Sequence, residues 1–249
     1  MRKIYLLPAL VGLLTSVAAG PLAAQVAVPK QKAAPKAAAA GAAPAAGAPA
    51  GATSTAAAET PAGDDRTAKA IDGFRSAKFG MNETDVRAAM TKDFNAKPDA
   101  IKIQDNASEL TRSLLLSAPE LLPNGGTAEL SYVFGYKSKS LIQVGAVWSK
   151  GTDTAMTPEK LFSNANILRA HFMGEGFKPD TIAVNMPVAG GIVMFRGSDA
   201  KDRSVILLLQ GTFESKENNQ RVLTPTSLLL FYVADAKSPD IFKLPPGQF

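Results

Sequence analysis

Cysteine is absent from this 249-residue chain, and histidine and tryptophan occur once each. Without cysteine no disulfide can brace the fold, no thiolate can hold a metal, and no N-terminal cysteine can carry a lipoprotein anchor. His171, the sole histidine, rules out an HExxH site or any histidine cluster and leaves a Ser/His/Asp triad only one base to use. It falls in a helical pattern beside Phe172 and reads as a partly packed helix residue. GxSxG, P-loop and EF-hand patterns are missing as well. Gly174-Glu175-Gly176 follows a helical segment and lacks the third glycine of a dinucleotide fingerprint, so it reads as a helix stop. No catalytic residue, no metal ligand and no cofactor is assigned by the sequence.

Excess charge of one sign is also lacking where a core can form. The chain carries a formal net charge of +5, yet twenty of its 27 Lys and Arg fall in residues 71–249 against nineteen of its 22 Asp and Glu. That near balance argues against a nucleic-acid partner. The surplus sits at the start: Met1-Arg2-Lys3, an apolar run from Ile4 to Ala19 broken by Pro8 and Gly12, then small residues to Ala24. This charged, apolar, small-residue order is that of a secretory signal, and the run falls short of the ~20 apolar residues that cross a bilayer. Residues 1–24 are therefore expected to be a signal peptide cleaved after Ala24, with Gly20 as the second choice, and the protein to be periplasmic without being a lipoprotein.

Residues 25–70 are expected to form a disordered Ala/Pro/Lys-rich linker. Prolines at 29, 35, 44, 49 and 61, with interspersed glycines, interrupt any helix before its nucleation is offset. This arm, taken from Val26 to Gly63, spans roughly 35 Å as a coil and about 115 Å as extended polyproline. Lys30, Lys32 and Lys36 on it are expected to make a weak, salt-sensitive contact with anionic lipid or a wall polymer.

Residues 71–249 can bury a core, and they echo themselves. Lys97-Pro98-Asp99-Ala100-Ile101-Lys102-Ile103 matches Lys178-Pro179-Asp180-Thr181-Ile182-Ala183-Val184, each after a helical pattern and a Phe, Phe94 or Phe177. Two units are inferred, 71–150 and 156–249, with hairpins at Leu130–Gly135/Leu141–Trp148 and Ile192–Gly197/Val205–Leu209. Lys97, Asp99, Lys178 and Asp180 read as turn residues. A first helix is predicted after Asn82 with Val86, Ala89, Met90 and Phe94 on its apolar face, and a second after Thr157-Pro158 with Leu161, Ala165, Leu168 and Phe172. Ser108–Leu116 is read as a third, short helix, and Ser227–Val233 as a buried strand. Asp199, Asp202 and Arg203 read as solvated turn charges. The expected fold is α+β, an antiparallel sheet with helices packed on one face.

Gly80-Met81-Asn82-Glu83-Thr84-Asp85-Val86, a Gly-Met turn leading into a capped helix, resembles the opening of the small outer-membrane assembly proteins of the SmpA/OmlA (BamE) family. The helix-and-sheet layout that follows is similar too. That family's fold is shared with the β-lactamase-inhibitor proteins, which are tandem repeats of one helix-and-sheet unit. The resemblance implies a non-catalytic module that binds protein partners through its sheet face or loops. The chain departs from the family in lacking a lipidated cysteine and in its internal repeat.

These readings favour an exported, non-enzymatic interaction or assembly module of the bacterial cell envelope with an envelope protein as partner. The alternatives are a periplasmic hydrolase using an Asp/Glu pair, which needs no linear motif, and a periplasmic carrier of apolar ligands. Tyr132, Tyr136, Trp148 and Arg196 are the candidate contact residues, because aromatics and arginine are enriched at binding hot spots.

Overall fold

Each helix opens on the cap its sequence supplies. In the computed structural model, which describes residues 70–215, 221–244 and 247, the Asn82 side chain accepts from the Asp85 N–H and α1 runs Glu83–Phe94. Thr157 accepts from Lys160 N–H, Pro158 takes the first helical position, and α2 runs Pro158–Met173. Val86, Ala89 and Met90 of α1 are buried, as are all four stripe residues of α2, Leu161, Ala165, Leu168 and Phe172. The leader at 1–24 and the arm at 25–70, Ala70 excepted, lie outside the described residues.

Strands dominate the rest. A two-stranded ribbon, β1 (Gly73–Phe74) and β2 (Ala77–Lys78), precedes α1. A 3₁₀ turn at Pro98–Ala100 then leads to β3 (Lys102–Asn106), β4 (Thr111–Ala118), β5 (Ala128–Phe134) and β6 (Leu141–Ser149). After α2, a 3₁₀ turn at Pro179–Thr181 leads to β7 (Ala183–Val188), β8 (Gly191–Ser198), β9 (Ser204–Ser215) and β10 (Arg221–Val233). Both Lys-Pro-Asp echoes thus open the same kind of turn. Helix, turn and four strands follow in that order twice.

The eight strands form one antiparallel sheet in the order β3-β4-β5-β6-β10-β9-β8-β7, so the last strands of the two halves meet at its centre. There Trp148 stands opposite Leu228 and Ala146 opposite Leu230. This topology corrects the hairpin matching made from sequence: β5–β6 closes its half, whereas β8–β9 is the middle hairpin of the other. Ser108–Leu116 is likewise not a helix but a turn followed by β4. Thr111, Leu114, Leu116 and Ala118 are buried, and β4 is bonded on both sides by β3 and β5, so sheet pairing overrides the helix propensity of three consecutive leucines.

Buried side chains of both helices join one large cluster with Leu130, Tyr132, Ala146, Trp148, Leu207, Leu209, Leu228 and Leu230. These strand residues alternate along their strands and lie on one face of the sheet. The chain ends brace it at two hairpin turns. Asp199, 2% exposed, lies in the β8–β9 turn and accepts from the Ile71, Lys201 and Arg203 N–H groups and from the Arg203 guanidinium, which also reaches Asp72 at 2.7 Å. Asp202 beside it pairs with Lys178 and Lys237, both at 2.9 Å. The reading of these turn charges as merely solvated therefore fails for Asp199 and Arg203, which hold the start of the folded chain to the second half. At the other end, Asp240 accepts from the Lys137 and Ser138 N–H groups and so holds the C-terminal segment to the β5–β6 turn of the first half.

Candidate functional site

The four candidate contact residues are not brought together. Tyr132 and Trp148 have no exposed surface and belong to the large core cluster with the helices, so neither presents a contact surface. Alternation on β5 and β6 put both on the same face, and that face is the covered one. Tyr136, half-buried in the β5–β6 turn, packs edge-on against Phe242 at 5.6 Å with Lys139 Nζ 5.4 Å from its ring centre. Arg196 lies opposite Ile206 in the β8–β9 pairing, on the other face of the sheet.

That other face carries a separate apolar cluster to which no helix contributes: Val193, Leu208 and Leu229, ringed by Val147, Val188 and Phe231. Register places Ile206 and the 37%-exposed Met186 on the same side, opposite Phe231 and Val193 respectively. Across β6 the character is mixed, because Gln104, Ser113, Glu129, Ser131 and Gln143 share the corresponding face of the first half with the half-buried Leu115 and Val133. This helix-free face is thus apolar over one half and mixed over the other, and its apolar centre is closely packed, with Val193, Leu208 and Leu229 only 4%, 3% and 7% exposed. Gly145 marks the boundary. A β-carbon there would stand 2.7 Å from Ser131 Oγ and 3.2 Å from Phe231 Cε1, so the absent side chain lets the Phe231 ring lie close to β6.

Two features make Arg196 the polar anchor of the apolar half. Its Nε is buried and has no hydrogen-bond partner, and its neighbours across the strands, Ile206 and Ala183, supply none. A buried donor left unpaired costs roughly 1–3 kcal/mol, which an acceptor arriving with a ligand would recover. Sequence reasoning picked Arg196 by residue type and missed Met186, Val193, Leu208 and Phe231. In β8, β9 and β10 both faces are apolar, so alternation does not show which of them helices cover.

The edges of the sheet differ. Asn185 breaks β7 with φ +54°, leaves the ladder between Val184 and Met186, and is followed by Pro187, so this edge resists further pairing. At the other end of the sheet a cavity of about 710 Å³ contains Glu83 and Asp105. Arg112 lies between them, 2.8 Å from Asp105 and 3.9 Å from Glu83. Its guanidinium holds the Asp105 carboxyl below the usual carboxylate range. A glycosidase-type pair needs one acid with a raised pKa, and Asp105 is moved the other way. Among the described helices none is long and apolar enough to cross a membrane.

Comparison of the chain with protein-family models, with curated proteins and with solved structures finds no match.

Proposed function

We propose that the chain is an exported, non-enzymatic interaction module of the bacterial cell envelope, built from two similar helix-plus-four-strand units whose helices share one face of the sheet and leave the other for a protein partner. The observation that carries this reading is the helix-free apolar cluster around Val193, Leu208 and Leu229 with the unpaired Arg196 Nε beside it. Around that closely packed centre Val147, Val188 and Phe231 are half-buried and Met186 is 37% exposed, and these are the apolar side chains left for contact. The partner it suits is a protein surface with an apolar side chain at its centre and a carboxylate or carbonyl oxygen within reach of Arg196.

The resemblance to the SmpA/OmlA (BamE) family and to the tandem-repeat inhibitor proteins points the same way, and the repeated order of helix, turn and four strands supports it. In this reading the leader delivers the protein to the periplasm and the arm gives the folded part reach. Arg112 between Glu83 and Asp105 weighs against the hydrolase alternative.

The test is a photoreactive residue placed in the full chain at Met186 on the open face and, separately, at exposed Lys92 on α1. One discrete adduct with a second envelope protein from position 186, absent from position 92 and lost when Arg196→Ala is added, is the expected result. Adducts from position 92 alone, or none from either, would defeat the proposal. A crosslink to another copy of the same chain would replace the protein partner with self-assembly.

A further inference from the structure

On the covered side of the sheet, where the two halves meet, lies a groove of about 340 Å³. Leu121 and Leu122 of the β4–β5 loop form one wall, Ile167 and Leu168 of α2 the other, and Trp148 and Leu230 from the central strand pair lie beneath. Its size falls at the lower end of the ~300–1,000 Å³ typical of small-molecule sites. Apart from His171 and Tyr232 its lining residues are apolar, with Trp148 fully buried beneath them.

Trp148 is the unusual member. It is fully buried, its Nε1 has no hydrogen-bond partner, and of the described residues with a buried unpartnered side-chain atom it alone lines this groove. A buried tryptophan ordinarily finds a partner for its N–H, and an orphaned donor calls for a specific explanation. A phenylalanine would fill much of the same space without leaving a donor unpaired. The groove and the orphan together specify an occupant with an apolar body and one acceptor atom. They also disfavour an anion: the only cation that can form among the lining side chains is His171, which is exposed and lies 3.5 Å from the Glu175 carboxylate.

We propose that this groove is a binding site for a small uncharged apolar molecule carrying a single carbonyl or hydroxyl oxygen, which accepts from Trp148 Nε1 as the Leu121–Leu122 turn gives way around it. The site lies on the opposite face from the partner surface and stands or falls independently of it. Its occupant bridges the two halves, touching the β4–β5 loop of one and α2 of the other.

The experiment uses the full chain and three probes of equal carbon number: 2-octanone, 1-octene and octanoate. Trp148 is the sole tryptophan, so its fluorescence reports on the groove directly. The expected result is a saturable change in Trp148 emission with 2-octanone, at an affinity roughly 3–10-fold above that for 1-octene, the span set by one neutral hydrogen bond, with octanoate weakest. Calorimetric titration of Trp148→Phe should find 2-octanone and 1-octene bound equally. Ile167→Glu, a change at a half-exposed wall position that leaves the core intact, should weaken both neutral probes at least tenfold. No saturable change with 2-octanone in the natural chain, equal binding of the ketone and the alkene there, or undiminished binding to Ile167→Glu would each overturn the proposal. The first two readings and the Ile167 variant decide the matter even where Trp148→Phe fails to fold.

Discussion

Replacing Asp199 with alanine is expected to cost about 3–5 kcal/mol, the range for removing one partner of a buried ion pair. The carboxylate is 2% exposed and receives donors from Ile71 N at 3.0 Å, Lys201 N at 2.8 Å, Arg203 N at 3.0 Å and Arg203 Nε at 2.7 Å. Its loss leaves the Arg203 side chain, 14% exposed, with Asp72 alone, and releases the start of the folded chain from the β8–β9 turn. For a domain of this size the melting temperature should fall by roughly 6–20 °C. Scanning calorimetry checks this, and a fall of less than about 3 °C would show that the network is solvated rather than structural.

The same group sets an acid limit. Burial by itself would raise the Asp199 pKa, but the hydrogen bonds from Ile71, Arg203 and Lys201 outweigh it and hold the carboxyl below the carboxylate range. Asp202 is pulled down to about 2 by Lys178 and Lys237. Groups with depressed folded-state values give their full stabilisation above the unfolded-state pKa, ~3.9 for aspartate, and lose it as pH falls through the folded-state value. The melting temperature should therefore be steady above about pH 5 and drop steeply below about pH 4, with a shallower drop in Asp199→Ala.

Truncating Phe172 to alanine is the second large effect, about 3–5 kcal/mol, the usual range for a buried phenylalanine. Phe172 is 2% exposed and joins Leu161, Ala165 and Leu168 in packing α2 into the core cluster with the sheet. Its ring lies 5.4 Å from Phe195 in a stacked arrangement, 6.3 Å from Phe177 and 6.4 Å from Tyr232. The corresponding end of α1 offers an internal control. Phe94 is only half-buried, stacks on Phe74 at 6.5 Å and carries the Arg75 guanidinium 4.5 Å from its ring centre. Phe94→Ala should cost less, about 1–2 kcal/mol. Chemical denaturation of the two variants measures the difference, and equal losses would contradict the asymmetry between the two helices.

Both helices were legible because their signals are local. Asn82 and Thr157-Pro158 start them, and stripes at helical spacing mark the buried face. The repeated Lys-Pro-Asp was legible for the same reason, since a turn is encoded in a few consecutive residues. What lay beyond reach depends on distant partners. Asp199 sits in a polar turn and looks solvated until Ile71, 128 positions away, donates to it. Ser108–Leu116 has helix-forming leucines, yet β3 and β5 on either side make it a strand. Tyr132 and Trp148 were picked as contacts and lie in the core, while Arg196 lies on the open face. The first half records the choice between faces, since Ser113, Glu129, Ser131 and Gln143 alternate with the buried Leu114, Leu130, Tyr132 and Val144. In the second half both faces of β8, β9 and β10 are apolar, and alternation cannot separate them.

The central claim is that the two faces of the sheet are divided between stability and contact. The measurement that tests it most directly is the affinity of the protein captured at position 186 for the full chain carrying Met186→Asp or Arg196→Ala, with Lys92→Asp as reference. Met186 is 37% exposed, so its substitution leaves the fold standing, and a surface change of this kind ordinarily moves stability by less than about 0.5 kcal/mol. At an interface hot spot the same change costs about 2 kcal/mol or more. Affinities at least tenfold weaker are expected for the Met186 and Arg196 variants, with an unchanged melting temperature for Met186→Asp, and an unaltered affinity for Lys92→Asp. Equal binding by all three variants would contradict the claim and move the contact off this face.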